Sequence, residues 1–318
     1  MKGVKFLALA LGVIIYGLLF FKIGVTAVLD QISLLRWNLL FIVILQVLSH
    51  GVNASAWSLT LGEERSLFHF RRFFLARLAG EAVNYITPSA YLGGEPLKAY
   101  LIKDMLPLPR GMATVIVAKT THIVSEAIFV FLGVFLSFSQ LTLPPHLKIS
   151  MIVVLLLTIP VLAFLLISQQ AGGFSFAIRL LARFKIDRGY LAQTADEVKK
   201  MEENLEQFYK RDKRRFFLST LLSFLGWMVG VLEIFFIIWF LGGPPDLLTA
   251  MIIETMAQIV TALTFFVPGK IGTLEGGQAL IFALLGMNMT MGFSLGIIRR
   301  IRELIWVGLG LLVIAMHR

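Results

Sequence analysis

Long uncharged runs separated by short polar segments dominate this chain. Stretches without Asp, Glu, Lys or Arg cover residues 37–62, 127–147, 149–178, 216–232 and 304–316. About 20 apolar residues cross the hydrocarbon core of a bilayer as a helix. The pattern predicts an all-α, polytopic membrane protein in one membrane domain, residues 1–318, with about six full spans near 4–21, 37–61, 111–138, 149–168, 216–241 and 291–315.

The first apolar run also has some features of a signal peptide. Lys2 and Lys5 precede the run Phe6–Phe21, which is slightly longer than a usual signal core, and 25–27 is a poor cleavage site. Because further spans follow, we interpret this run as a first transmembrane helix.

Two other apolar segments, residues 70–103 and 246–288, are interrupted in the middle by Pro and Gly. Pro removes a helical N–H, and Gly is costly inside a helix. Interrupted backbone within a bilayer is tolerated only where it is buried in protein or lines a cavity. Each segment is therefore predicted to be a re-entrant helical hairpin. The break residues are Pro88, Gly93 and Gly94 in the first hairpin and Pro268, Gly269 and Gly272 in the second.

The two broken segments coincide when the chain is shifted by 180 residues. The shift places Pro88 on Pro268, Glu95 on Glu275, and Lys119 on Arg299, and it also matches the span boundaries. We predict two repeats, residues 37–138 and 217–318. A chance alignment of apolar helices is the alternative.

Charge predicts the orientation of the spans. Segment 169–215 holds 11 Lys and Arg residues, which places it in the cytoplasm by the positive-inside rule. Arg65, Arg71 and Arg72 can share that side only if 73–103 enters and leaves on one face. The second hairpin must then open outward, and both termini are cytoplasmic in a cell-membrane protein. Inverted repeats of this kind place a transporter's site near the midplane.

Composition narrows the class of protein. The chain is 58% hydrophobic and 15% charged, against roughly a quarter charged in soluble domains. The net charge of +10 indicates how the spans are oriented in the membrane and does not indicate nucleic-acid binding, because the basic residues lie beside apolar spans. Cys is absent, five His residues lack metal-ligand spacing, and there is no ATP-binding loop, so no cofactor or metal is expected.

Segment 169–215 contains a helical apolar stripe, Val198, Met201, Leu205 and Phe208. We interpret it as a cytoplasmic amphipathic helix lying on the anionic leaflet. The alternative is a gate or a partner-docking element.

Charged groups inside spans are costly and usually face the bundle interior. Glu95 and Glu275 lie at the tips of the broken helices, where freed backbone groups make polar sites. On the helices that follow, Lys119 and His122 share one face, as do Arg299 and Arg302. The alternative is that such residues, including the pair Arg77 and Glu81, only hold the bundle together. Lys98 and Lys270 are weaker candidates, since both could snorkel to water. The candidate substrate-binding residues are Glu95, Lys119, His122, Glu275, Arg299 and Arg302.

The break motifs resemble a known family. The stretch Glu81–Pro88 (EAVNYITP) followed by Gly93–Leu101 (GGEPLKAYL) is similar to the lysylphosphatidylglycerol synthetase transmembrane family, the flippase-like membrane domain. So is Val267–Glu275 (VPGKIGTLE) with Arg299 or Arg300 on the next helix. Two-part members carry a soluble aminoacyl-transferase domain after the membrane part, and this sequence, which ends at Arg318, is expected to be a stand-alone member without it. The resemblance therefore implies lipid translocation without lipid aminoacylation.

These observations leave three hypotheses. The first is flippase-like translocation of an anionic or zwitterionic lipid headgroup, from a phospholipid or an isoprenoid lipid, through a cavity between two inverted repeats. The second is an intramembrane enzyme acting on a lipid-linked substrate. The third is a membrane scaffold for an enzyme of a lipid, polyprenyl or hopanoid pathway. For the first, we expect Glu95, Lys119, Glu275 and Arg299 to converge on one polar cavity.

Overall fold

A computed structural model describes residues 33, 35–61, 70–87, 93–140, 145–176, 188–264 and 272–317. In these ranges all regular secondary structure is helical, without a β-strand. The helices are α1 Asn38–Leu59, α2 Phe70–Ile86, α3 Glu95–Leu101, α4 Leu108–Gln140, α5 Pro145–Gln170, α6 Arg188–Arg211, α7 Lys213–Phe240, α8 Leu247–Leu263, α9 Thr273–Leu284 and α10 Met289–Met316. The all-α prediction is confirmed. The predicted span 4–21 and the break residues Pro88, Pro268 and Gly269 lie outside the described residues.

Within those ranges, four helices are long and apolar enough to cross a membrane. They are Asn38–Leu59, Leu108–Ser139, Met151–Gln170 and Lys213–Phe240. They match the predicted spans 37–61, 111–138, 149–168 and 216–241. The predicted span 291–315 corresponds to α10, whose 28 residues are long enough to cross a bilayer but carry Arg299, Arg300, Arg302 and Glu303 near the middle. The middle of this helix therefore faces other helices and does not face lipid.

The central core joins α4, α7, α8 and α10. Phe129, Ile234, Ile253 and Ile298 are all fully buried in it. In a bilayer, close van der Waals packing holds helices together, and small residues allow the backbones to approach. Gly133 is one such contact, since a Cβ there would lie 1.8 Å from Thr255 Oγ1. The core fixes α10 against its neighbours and so determines where its charged residues point.

Each broken segment is a pair of packed helices. In the first, α2 and α3 meet at Gly80 and Gly94, where a Cβ on Gly94 would lie 1.9 Å from the Gly80 carbonyl oxygen. In the second, α8 and α9 pack together, and Gly272 begins α9 with a left-handed φ of 75°. Re-entrance from one membrane face and the opposite orientation of the two pairs stay predictions.

The amphipathic helix α6 differs from its predicted placement. Met201, Leu205 and Phe208 are buried against Ala113 and Val117 of α4. This apolar stripe is therefore covered by protein and is not available to rest on a membrane surface. The spacing of apolar residues predicted the stripe correctly. An apolar stripe of this width can pack against another helix as well as against the acyl chains of a membrane.

Candidate functional site

A buried lysine ties the first hairpin together. Lys98 Nζ lies 2.8 Å from Glu81 Oε1 and 3.0 Å from Glu95 Oε2. Asn84 donates to Glu95 Oε1 at 3.1 Å and accepts from the Gly94 N–H at 2.7 Å. These contacts join α2 to the start of α3 across the break. The expectation that Lys98 snorkels to water is wrong, because two carboxylates hold it inside.

Lys119 on α4 is paired much less completely. Its Nζ lies 3.9 Å from Glu95 Oε1, and the described residues give it no other ion pair or hydrogen bond. Its side chain is 24% exposed, against 7% for Lys98. Since Glu95 is already bonded to Lys98 and Asn84, Lys119 keeps donors available for another anion.

Lys119 and Glu95 line a small polar cavity of about 60 Å³. Its charged lining residues are Arg77, Glu81, Glu95, Lys98 and Lys119, and its polar ones are Asn53, His122 and Ser223. Three cations against two carboxylates leave one excess positive charge. Pockets that hold small molecules span roughly 300–1,000 Å³. A ligand of that size can therefore enter only when the surrounding helices separate.

The second predicted cation, Arg299, is held by two carboxylates. Its Nη2 lies 2.6 Å from Glu254 Oε2 and 3.1 Å from Glu233 Oε2, and all three side chains are buried. Arg302 Nε lies 2.9 Å from Glu233 Oε1, an ion pair without hydrogen-bond geometry. This network links α7, α8 and α10, and it gives Arg299 a geometry typical of a structural residue.

Glu275 pairs with the next residue along α10. Arg300 is fully buried, and its Nε donates to Glu275 Oε1 at 2.9 Å. Arg300 also donates to the hydroxyl of Tyr85 in α2, and Glu275 accepts from the Gly272 N–H at 3.2 Å. Arg300 therefore connects the tip of the second hairpin to the first.

The structure does not bring Glu95, Lys119, Glu275 and Arg299 together in one cavity as predicted. Glu95 and Lys119 line the small cavity together, whereas Glu275 and Arg299 do not line it and are held in separate ion pairs. The cause lies in α10, where successive side chains point about 100° apart around the helix. Arg300, not Arg299, consequently faces the tip of α9.

The remaining two candidates lie at two different cavities. His122 lines the small cavity and stacks on Trp227 with ring centroids 5.0 Å apart. Arg302 lines a second cavity of about 200 Å³ beside α1, α2 and α10. Arg77 and Glu81 line both cavities, and their ion pair of 3.5 Å forms part of the common wall.

Three charged residues of these networks, Arg300, Glu233 and Glu254, are not among the binding residues that the sequence predicts. Their positions in the sequence do not indicate their partners, since Arg299 and Glu254 are hydrogen-bonded but 45 positions apart. In the part of the chain that the structure describes, no group of three His, Cys, Asp or Glu residues could hold a metal ion.

Comparisons with known proteins support a membrane family. A family model described as the lysylphosphatidylglycerol synthase TM region matches residues 5–310. A UPF0104 membrane protein of Pyrococcus horikoshii is 25% identical over an alignment 314 residues long, which covers 93% of this chain and 92% of that protein. Another, from Methanothermobacter thermautotrophicus, is 20% identical over an alignment 271 residues long, which covers 82% of this chain and 80% of that protein. No solved structure gives a significant match.

Proposed function

We propose, because this chain belongs to the family of the lysylphosphatidylglycerol synthase transmembrane region, that it translocates the anionic headgroup of a membrane lipid across the bilayer. The description of the family names a synthase of lysylphosphatidylglycerol, a lipid whose headgroup contains a phosphate. The lipid here is a phospholipid or isoprenoid lipid whose headgroup carries a phosphate. The observation that carries this proposal is the excess positive charge of the small cavity, centred on Lys119.

An excess charge within a membrane protein needs a partner. Desolvating an unpaired ammonium costs several kcal/mol, which a nearby anion or water must offset. The 3.9 Å contact between Lys119 and Glu95 offsets it only in part, because Glu95 is shared with Lys98. A lipid phosphate with one negative charge would neutralise the cavity, whereas a zwitterionic headgroup would leave the excess in place.

The neighbouring residues supply the rest of the proposed path. The pair Arg77 and Glu81 separates the small cavity from the larger one that Arg302 lines. Glu81 also bonds Lys98 at 2.8 Å, shorter than its 3.5 Å contact with Arg77. Glu81 can therefore keep a partner when Arg77 moves aside, and a headgroup could pass from one cavity to the other.

The test compares two cations that the 180-residue shift superimposes. Lys119→Gln should abolish most transfer of a fluorescent anionic phospholipid in liposomes while leaving the melting temperature in detergent nearly unchanged. Arg299→Gln is the matched variant. It leaves Glu254 without its ion-pair partner, while Glu233 keeps only Arg302, so it should lower the free energy of unfolding by about 3–5 kcal/mol. Transfer per folded molecule should survive in it.

Two outcomes would contradict the proposal. The first is that Lys119→Gln transfers lipid like the unaltered protein. The second is that it loses transfer only in proportion to lost folded protein. The lipid recovered after transfer should be chemically unchanged, because net turnover in detergent would indicate an enzyme instead.

A further inference from the structure

A basic cavity of the described residues lies away from the charged hairpins. It has a volume of about 590 Å³ and lies where the end of α1, the start of α4 and the junction of α6 and α7 meet. Its charged lining residues are Arg110, Arg211, Asp212 and Arg215. The volume falls within the range of pockets that hold small molecules. The proposed translocation makes no use of it.

The described lining of this cavity carries excess positive charge. Arg211 and Arg215 share its wall with one carboxylate, that of Asp212, which leaves one excess positive charge. Asp212 pairs with Arg215, with 3.0 Å between Oδ1 and Nη1. Arg211 is exposed, and the described residues give it no ion pair or hydrogen bond. Guanidinium groups present several donors in a planar fork that matches phosphate oxygens.

Two helix N-termini reinforce this charge. Helix α4 begins at Leu108 and α7 at Lys213, so Arg110 and Arg215 each lie in a first turn. A helix N-terminus carries partial positive charge and favours anions, whereas cations there are unfavourable. The partial positive charges of the two helix ends therefore add to the attraction of this wall for an anion.

The rest of the lining suits a ligand larger than a single ion. Asn204 and Gln207 of α6 add amide groups on one side. Leu61, Val117 and Phe208 form an apolar portion that can contact the uncharged part of a ligand. A phosphate bound by the arginines could therefore carry an organic group against this surface.

We infer that this cavity binds a phosphate-bearing anion, with Arg211 and Arg215 contacting the phosphate oxygens. The inference does not depend on the proposed lipid transfer, since it concerns binding at a separate site. A soluble phosphorylated compound and the headgroup of a membrane lipid present the same chemistry.

Topology alone offers a competing explanation, because basic residues collect at one membrane face regardless of ligands. The chain contains a direct comparison. Lys210 and Arg214 are neighbours of Arg211 and Arg215, are exposed, and do not line the cavity. A general attraction of the membrane face for anions would depend equally on both pairs of cations.

The experiment compares two double variants with equal loss of charge. Calorimetric titration of inorganic pyrophosphate into the full chain in neutral detergent should show saturable binding. Arg211→Gln/Arg215→Gln should weaken it at least tenfold, and Lys210→Gln/Arg214→Gln should change it less than twofold. Because Arg215 pairs with Asp212, the single variant Arg211→Gln separates lost binding from lost folding, and it should retain the melting temperature.

A second arm identifies the source of the phosphate. The melting temperature is measured in phosphatidylcholine nanodiscs with and without phosphatidylglycerol. Pyrophosphate binding that depends on Arg211 and Arg215 supports a soluble ligand. An effect of phosphatidylglycerol alone, with the same dependence, supports a lipid headgroup. The inference is overturned if neither probe binds, or if both double variants weaken binding equally.

Discussion

Single residues in this protein differ in how completely their charges are compensated. Arg299 and Arg300 are buried and bonded to carboxylates, while Lys119 has one long contact. The 180-residue shift treats Lys119 and Arg299 as equivalents, and their surroundings show that they are not. Removal of an arginine from a buried pair strands a carboxylate, whereas removal of Lys119 leaves Glu95 with Lys98.

Asp246 lies outside the membrane spans, and there too the partners of a charged group affect the stability of the fold. It is the N-cap of α8, and its carboxylate accepts from the Thr249 hydroxyl at 2.6 Å and from the Thr249 N–H at 2.7 Å. These hydrogen bonds, the hydroxyl's first, lower the pKa of Asp246. Because the folded pKa lies below the ordinary value of about 3.9, the ionised cap stabilises the folded state above that pH. The stabilisation is lost as the pH falls through the folded pKa.

Asp246→Ala should therefore lower the free energy of unfolding by about 1 kcal/mol near pH 7. The difference from the unaltered protein should shrink as the pH drops below about 4. Asp246→Asn keeps an acceptor at the cap and serves as the control. Unfolding in detergent followed over this pH range would refute the argument if the Ala variant matched the unaltered protein at pH 7.

The sequence located the charged residues of the site but not their partners. Asp, Glu, Lys and Arg within apolar spans are visible from composition alone, and Glu95 and Lys119 do line one cavity. Which of Arg299 and Arg300 meets Glu275 depends on the rotation of α10, and packing against α2 and α9 sets that rotation. The order of residues in the sequence does not indicate this rotation.

At the scale of elements, the first hairpin depends on a contact between two glycines. A Cβ on Gly94 would lie 1.9 Å from the Gly80 carbonyl oxygen, which is backbone and cannot move aside as a side chain could. Lys98 packs over the same place, with its Cγ 2.4 Å from a Cβ built on Gly80. The separation of α2 and α3 is thus set by the absence of side chains at these positions.

Gly94→Ala should force α2 and α3 apart and weaken the contacts of Lys98 with Glu81 and Glu95. We expect a loss of about 1–3 kcal/mol in the free energy of unfolding, as for other overpacked sites. Gly276→Ala in α9 is the control, because a Cβ there meets nothing within 4 Å and Ala favours a helix by up to about 1 kcal/mol. Similar melting temperatures for the two variants would show that the glycine contact is dispensable.

Helices were predicted well where their own apolar spacing was enough. They were predicted less well where the helix that packs against them also had to be known. The four apolar spans follow from length and hydropathy, and their bounds agree with the helices within a few residues. The stripe of α6 was equally clear, yet its partner proved to be Ala113 and Val117 of α4 instead of a membrane surface. Amphipathicity predicts that a face is covered but not what covers it.

At the scale of the whole molecule, the predicted inversion of the two halves is open to a direct test. The chain has no cysteine, so single cysteines can be introduced without removing others. Lys103→Cys, at an exposed position after α3, should react with a membrane-impermeant thiol reagent only from the cytoplasmic face. Pro245→Cys, exposed before α8, should react only from the opposite face.

Labelling is measured in right-side-out and inside-out vesicles, with Arg214→Cys as a marker for the predicted cytoplasmic face. Reaction of Lys103→Cys and Pro245→Cys from the same side would contradict the inverted arrangement. It would leave the helix pairs intact, since their packing does not depend on which face they open to.

The excess positive charge around the small cavity also bears on energy supply. Lys119 stays with the protein, so a lipid phosphate that moves past it carries its own negative charge from one leaflet to the other. Such transfer is electrogenic, and a membrane voltage changes its free energy by about 2.3 kcal/mol per 100 mV for each charge. An interior-negative potential would then drive anionic lipid outward without nucleotide hydrolysis. A cavity with balanced charge that carried zwitterionic lipid would be insensitive to voltage.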